Sequence, residues 1–369
     1  MVIRVGVVGA GGIGRHHLRV LTSLKDVSLT AVAEINEPLG KQVAEEFGIR
    51  CYKNYLEMAE REKIDMATIA LPHYLHSTVS VELMRMGVNV LVEKPMAVSV
   101  VEADTMIKQA RKSDVKLGVV FQFRVRNTAR ALKQMVERGE LGQLARALLL
   151  YNVFRSEGYY LSAPWRGTWW GEGGGVLINQ GIHYIDLLQW LLGSRPLTCQ
   201  GLIGTFFHNI EVEDLANAVV QFEGGVQAVM QLSTIDAPED VSIDLRGDLG
   251  KALFTDGELT VYKNREPLKN WGASDPQKFM WAKPEHDVQR IAVEDGTDPH
   301  QVVIQDFVSA VEEDRQPIVS GDEGRKSLEL VNAIILSAKT GRQVSFPLDG
   351  QKYERLLKSL RSKSSKKTQ

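Results

Sequence analysis

Apolar and polar positions change their period once along this chain. Over the first 120 residues, short apolar, β-branched runs alternate with stretches of helical period. VIRVGVV (2–8), LTAVAEI (29–35), DMATIAL (65–71), NVLVEKP (89–95) and VKLGVVFQF (115–123) have the unbroken apolar character of strands buried on both faces. Between them RHHLRVLTSL (15–24), PLGKQVAEEFG (38–48), NYLEMAERE (54–62), HSTVSVELMRMG (76–87) and SVVEADTMIKQARKSD (99–114) predict helices, the last with Ser99 as its N-cap. Strands that alternate with helices predict an α/β unit, a doubly wound parallel sheet.

Beyond residue 123 the pattern changes. RVRNTARALKQMVERGELG (124–142) predicts one helix. ARALLLYNVF (145–154), LTCQGLIGTFF (197–207), LANAVVQFEGG (215–225), VQAVMQLSTI (226–235) and VSIDLRG (241–247) then read as strands on short polar turns, a largely antiparallel sheet with the helix on one face. GGGVLINQGIHYIDLLQWLLG (173–193) reads as three glycines leading into a buried helix that carries Asn179 and His183 at i, i+4, with Asp186 continuing the line. Residues 264–300, with Pro267, Pro276, Pro284 and Pro299, read as loops. The resulting division is 1–123, 124–350 and a basic tail, 351–369, whose end RSKSSKKTQ is expected to be solvated.

Length and composition narrow the class. The chain has 369 residues, 44% hydrophobic, enough for two packed domains. A net charge of -2 argues against nucleic acid or an anionic membrane as partner. Two distant cysteines, Cys51 and Cys199, supply neither a disulfide framework nor a metal cluster, and no metal is expected. The N-terminus lacks the features of a signal peptide and no apolar run is long enough to span a bilayer, so a cytoplasmic location is expected.

The candidate chemistry begins at GAGGIG (9–14), a G-x-G-x-x-G match between a strand and a helix. In this Rossmann pattern Gly9 permits the tight turn, Gly11 lets the backbone approach a pyrophosphate, and Gly14 permits close helix–strand packing; Gly12 and Ile13 complete the turn. The helix N-terminus presents free N–H groups to phosphate. Glu34, ending the second strand 20 residues after Gly14, suits ribose hydroxyls and repels a 2′-phosphate, which favours NAD over NADP. Ligands of such sheets lie at the carboxyl ends of the strands, which brings Leu71, Pro72, Glu93, Lys94 and Gln122 to the cofactor, with His73 and His76 beside them. Lys94, pinned by Pro95, is the candidate acid/base, because partial burial lowers a lysine pKa. For His183 the residues alone leave a packing histidine and a catalytic one open. YYLSAPWRGTWW (159–170) adds aromatic rings and an arginine, suited to sugars, nucleotides or phosphates.

These segments, with FVSAVEEDRQPIVSGDEGRKSLELVNAIILSAKTGRQVSFPL (307–348), resemble the Gfo/Idh/MocA oxidoreductases over nearly the whole chain. The resemblance implies a Rossmann domain, a C-terminal α/β domain whose large open sheet forms homodimers or homotetramers, and NAD(P)-linked redox at a secondary alcohol of a sugar, sugar derivative or cyclitol. It matches Lys94 and His183 to the family's active-site lysine and histidine. Asn179 stands where inositol dehydrogenases often carry aspartate, so Lys94 is favoured as acid/base, with His183 and Asn179 positioning substrate. PWRGTW and GGGVLINQGIH look like the branch near UDP-N-acetylglucosaminuronate 3-dehydrogenases. That likeness assigns Trp165 and Arg166 to cofactor and Arg124, Asn127, Tyr159 and Tyr160 to substrate. Relatives that cleave glycosides through transient redox, and a non-catalytic NAD-binding regulator, are the alternative readings.

Overall fold

The computed structural model describes residues 2–255, 258–273, 280–293 and 295–364. Its first sheet is built from β1 (Ile3–Val8), β2 (Val27–Ala33), β3 (Arg50–Tyr52), β4 (Met66–Ile69), β5 (Asn89–Glu93) and β6 (Leu117–Val120). They lie in the order β3-β2-β1-β4-β5-β6, all parallel. The helices α1 (Gly12–Ser23), α2 (Glu37–Phe47), α3 (Tyr55–Glu62), α4 (His73–Arg85) and α5 (Val100–Ser113) make the crossovers. Ser99 caps α5 by accepting from the Glu102 N–H, as its position predicts. The edge strand β3 is too short to show a period and was not legible as a strand.

The second sheet has nine strands: β7 (Leu144–Phe154), β8 (Pro196–Gly204), β9 (Leu215–Phe222), β10 (Gln227–Ser233), β11 (Ile235–Gly247), β12 (Gly250–Thr255), β13 (Glu258–Asn264), β14 (His286–Ala292) and β15 (Val344–Ser345). Their order is β14-β13-β12-β11-β7-β10-β9-β8-β15, antiparallel except for the β7–β10 pair. Alternation is clean: Ala216, Ala218, Val220 and Phe222 are buried while Val219 faces out, and Ala228, Met230 and Leu232 are buried while Val229 faces out. The buried face meets the helices α6 (Asn127–Glu137), α8 (Ile182–Leu192) and α11 (Gly321–Thr340). Contact with α11 is tight, since a Cβ on Gly201 of β8 would stand 2.8 Å from the Ile334 side chain. The opposite face is open.

Four local expectations are corrected. The 173–193 segment becomes helical only at Ile182, and α7 (Glu157–Leu161) is the short helix upstream. Glu213 causes the delay. Its carboxylate accepts from the N–H groups of Gly175 and Leu177, and its carbonyl accepts from Val176 N–H, holding this stretch in a turn. Asn179 and His183 therefore do not share a helical face. Within 264–300 there are a short helix, α9 (Leu268–Ala273), and the edge strand β14; Pro276 lies outside the described residues. Five of the seven β14 residues in a row are exposed, so no apolar alternation marks it. Pro299 opens α10 (Pro299–Glu312) in place of a loop. The tail begins as α12 (Gly350–Ser364), anchored by fully buried Tyr353 and Leu357; residues 365–369 lie outside the described residues.

Helix α10 also crosses back. Its Val303, Ile304, Phe307 and Val308 share one apolar cluster with Val5 and Val7 of β1 and Leu18 of α1. Gly118 makes room for it, because a Cβ there would lie 2.6 Å from the Phe307 ring. Among the described residues no helix is long and apolar enough to cross a membrane.

Candidate active site

The glycine turn after β1 has the shape a dinucleotide needs. Gly9 has φ +96°, and a Cβ on it would meet the Ala70 carbonyl oxygen at 2.4 Å; a Cβ on Gly14 would meet the Gly9 oxygen at 2.0 Å. Gly11 and Gly12 face open space instead, and Ile13 beside them is exposed. No side chain caps α1, so its first N–H groups stay free for an anion. Glu34 reaches back from the end of β2 and accepts from the Ala10 N–H at 2.8 Å and the Asn36 N–H at 2.9 Å. Each oxygen keeps a lone pair for a ribose hydroxyl. This cradle fits NAD by its own geometry.

At the carboxyl end of β4, Leu71 and Pro72 are half-buried, and the Leu71 side chain lies against the Gly9 turn. His73 Nδ1 sits 3.0 Å from the Glu172 carbonyl oxygen, and its ring lies 5.0 Å from that of Trp165. Arg166 stacks over both Trp165 and Tyr159, at 4.7 and 4.3 Å, and donates to the Tyr159 hydroxyl. Trp165 and Arg166 thus stand beside the first turn of α4, within one cluster with Tyr159.

Lys94 is the centre of the site. It follows β5 directly, and its Nζ donates to the Asn179 carbonyl oxygen at 2.8 Å and to Asn179 Oδ1 at 3.3 Å. The Asn179 amide nitrogen donates in turn to the Tyr159 hydroxyl at 2.9 Å and to Glu172 Oε1. Glu172, 1% exposed, also accepts from the Gly167 N–H at 2.6 Å. Burial pulls the Lys94 ammonium below its usual range, offset in part by the charges of Glu93 and Glu172. Burial pushes the Glu172 carboxyl up to about 7. The chain Lys94–Asn179–Glu172 is therefore a proton-binding group and a carboxyl bridged by one amide. Glu172 was not singled out by sequence reasoning; a lone acid in GEGGG (171–175) was its only signal.

His183 opens the first turn of α8 and stacks on Phe123, ring centroids 4.8 Å apart. Its Nδ1 is buried and has no hydrogen-bond partner. Burial, then the charge of Lys94, hold its pKa well below the usual range, so the ring is neutral. Asn179 does not orient this imidazole, since its amide is bound to Lys94, Tyr159 and Glu172.

The other expected site residues have these partners within the protein. Arg124 is buried and forms a two-pronged pair with Asp186, at 2.7 Å on each side, and a 3.1 Å pair with Glu323. It is a brace between the segment that leads into α6 and the helices α8 and α11, and Asp186 is its partner rather than that of His183. Tyr160 is a core residue whose hydroxyl meets Thr234 Oγ1 at 2.8 Å. His76 is buried with both ring nitrogens 2.7 Å from carbonyl oxygens, those of Pro95 and Leu71, and so links the β4 and β5 exits. Glu93 is buried and paired with His17 at 3.0 Å. Gln122 is buried at the end of β6, its Oε1 without a hydrogen-bond partner. Asn127 opens α6, its N–H donating to the Asp295 carboxylate at 2.7 Å.

Residues 3–121 match the family model described as the oxidoreductase family, NAD-binding Rossmann fold, and residues 129–253 match the GFO/IDH/MocA C-terminal domain. Among curated relatives, the mouse trans-1,2-dihydrobenzene-1,2-diol dehydrogenase is 30% identical over 61% of this chain and 67% of its own. The glucose-6-phosphate 3-dehydrogenase of Bacillus subtilis is 26% identical over 75% of this chain and 81% of its own. The crystal structure of the WlbA dehydrogenase of Chromobacterium violaceum, in complex with NADH and UDP-GlcNAcA, superposes with a TM-score of 0.82 at 30% identity, covering 94% of this chain and 96% of that one.

Proposed function

Since this chain belongs to the Gfo/Idh/MocA oxidoreductases, NAD-dependent dehydrogenases of sugars and polyols, we propose that it oxidises one secondary alcohol of a sugar-like ring to a ketone, reversibly, with Lys94 as the acid/base. The Gly9–Gly14 turn and Glu34 would hold NAD, which would supply the hydride acceptor for the oxidation and, reduced, the donor for the reverse direction. The observation that carries the reading is Lys94 itself, a half-buried amine at a strand end, held by Asn179 and lowered in pKa.

In its neutral form Lys94 Nζ accepts the hydroxyl proton as the hydride departs, so one proton and one hydride leave together and a C=O bond forms. The ammonium produced is met by Glu172, one amide away. Asn179 fixes the amine by two oxygens. His183, neutral and unpaired at Nδ1, offers a hydrogen bond to the reacting oxygen or its neighbour without competing for the proton. Trp165, Arg166 and Tyr159 supply stacking surface and positive charge for the rest of the substrate. Glu34 would hold the ribose hydroxyls of the cofactor and disfavour a 2′-phosphate.

The test is NADH formation by the purified protein on UDP-sugars, sugar phosphates, cyclitols, free sugars and anhydrosugars, with Lys94→Ala run beside it. The variant should lose roughly 10²–10⁴-fold in kcat at neutral pH while still binding NADH. Full turnover by Lys94→Ala would exclude this role. The open face of the nine-stranded sheet, with Val219 and Val229 exposed at its centre, supports self-association into a dimer or tetramer.

A further inference from the structure

Where α1 meets α10, three metal-binding side chains converge. His16 lies in the second turn of α1. Asp298 is the N-cap residue of α10, its Oδ1 accepting the His300 N–H at 3.0 Å, and His300 lies in the first turn of that helix. One ligand atom from each lies within 4.8 Å of the others. His16 Nε2 stands 2.8 Å from Asp298 Oδ2, and His300 Nδ1 stands 3.6 Å from Asp298 Oδ1. The two imidazoles meet edge to face, centroids 4.8 Å apart.

A plain ion pair does not account for this arrangement. His16 Nε2 is enclosed, yet at 2.8 Å from a carboxylate it makes no hydrogen bond of acceptable geometry. The enclosed nitrogen is left without a partner, facing a carboxylate and a second imidazole. The side chains keep 34%, 35% and 19% of their surface, which leaves a path for an ion.

We propose that His16, Asp298 and His300 bind a divalent transition-metal ion of the zinc class. Two imidazoles and a carboxylate suit zinc, with water as the fourth ligand of a tetrahedron. Magnesium and calcium, which take oxygen ligands, do not suit it. Bonds of about 2.0–2.2 Å put tetrahedral ligand atoms about 3.3–3.6 Å apart, so side-chain shifts of about an ångström complete the set. The ion ties α1 to α10 and so fastens the returning helix to the nucleotide-binding sheet. Nothing in this assignment depends on the catalytic reading, because Lys94 and His183 are not ligands.

The experiment uses the full chain, stripped with a chelator and titrated with zinc by calorimetry and with cobalt by visible absorption. Expected are one zinc per chain, cobalt bands of tetrahedral intensity, and a rise in Tm with zinc. His16→Gln and His300→Gln should each weaken zinc by at least about a hundredfold and abolish the cobalt bands. His286→Ala, on the exposed edge strand, should bind as the parent does. Circular dichroism and NADH binding establish that each variant is folded. No zinc binding by the parent, or equal binding by folded His16→Gln and His300→Gln, would overturn the assignment and leave an ion pair beside a packed ring.

Discussion

Glu172→Gln separates the protonation of the site from its shape. The carboxyl is 1% exposed and accepts two hydrogen bonds, and burial still carries it from its ordinary 4.5 to about 7. A carboxyl raised on folding favours the native state while protonated. Its contribution is complete below about pH 4.5 and is lost as pH climbs through 7. At about 1.4 kcal/mol per pH unit the loss amounts to ~3 kcal/mol, most of it between pH 5 and pH 8. Glutamine has nearly the same shape and does not ionise, so the variant lacks this loss. The assay is urea unfolding of both proteins at pH 5, 6, 7 and 8. Groups remote from the site titrate alike in the two, so the difference in ΔG reports Glu172 together with its coupling to Lys94. It should move in favour of the variant by roughly 2–3 kcal/mol from pH 5 to pH 8. The pH–rate profile gives a second reading. Removing a negative charge near Lys94 lowers the lysine pKa further, so the rising limb of kcat/KM should shift to lower pH. A stability difference that stays flat between pH 5 and pH 8 would refute the assignment of a near-neutral carboxyl.

Two further substitutions follow from the geometry. Arg124→Ala leaves Asp186 buried without its two-pronged partner and should cost about 3–5 kcal/mol in denaturant unfolding; a loss under about 1 kcal/mol would mean the brace does not hold α8. Glu34→Gln removes the charge that repels a 2′-phosphate, so the ratio of kcat/KM for NADP to that for NAD should rise about tenfold or more. An unchanged ratio would place cofactor choice elsewhere.

The parallel sheet and the glycine turn were legible because each follows from strong local rules. Buried strands are continuously apolar, and Gly9 and Gly14 occupy places where a Cβ would meet backbone oxygen. The cluster around Lys94 was legible only in its members. Lys94, Asn179 and Tyr159 could be picked out by type and position, but their links could not. Helical spacing paired Asn179 with His183, whereas Glu213, 30 residues further on, pins the turn and swings Asn179 to Lys94. Arg124 was assigned to substrate by the family resemblance alone, and its pairing with Asp186, 62 residues away, has no signal in the sequence. Glu172 escaped notice because its burial comes from elements distant in sequence. The trio at 16, 298 and 300 carries no motif, since it assembles only when α10 crosses back.

That crossing has a consequence for synthesis. The nucleotide-binding sheet leaves the ribosome first and complete in its strands, but the face that receives Phe307 and Ile304 has no cover until about 300 residues have been made. Through that interval Val5, Val7 and Leu18 line an apolar surface awaiting its last layer. A nascent chain stalled before residue 299 would present a dinucleotide cradle on an unfinished core. It should be a target for chaperones and for proteases rather than a working module.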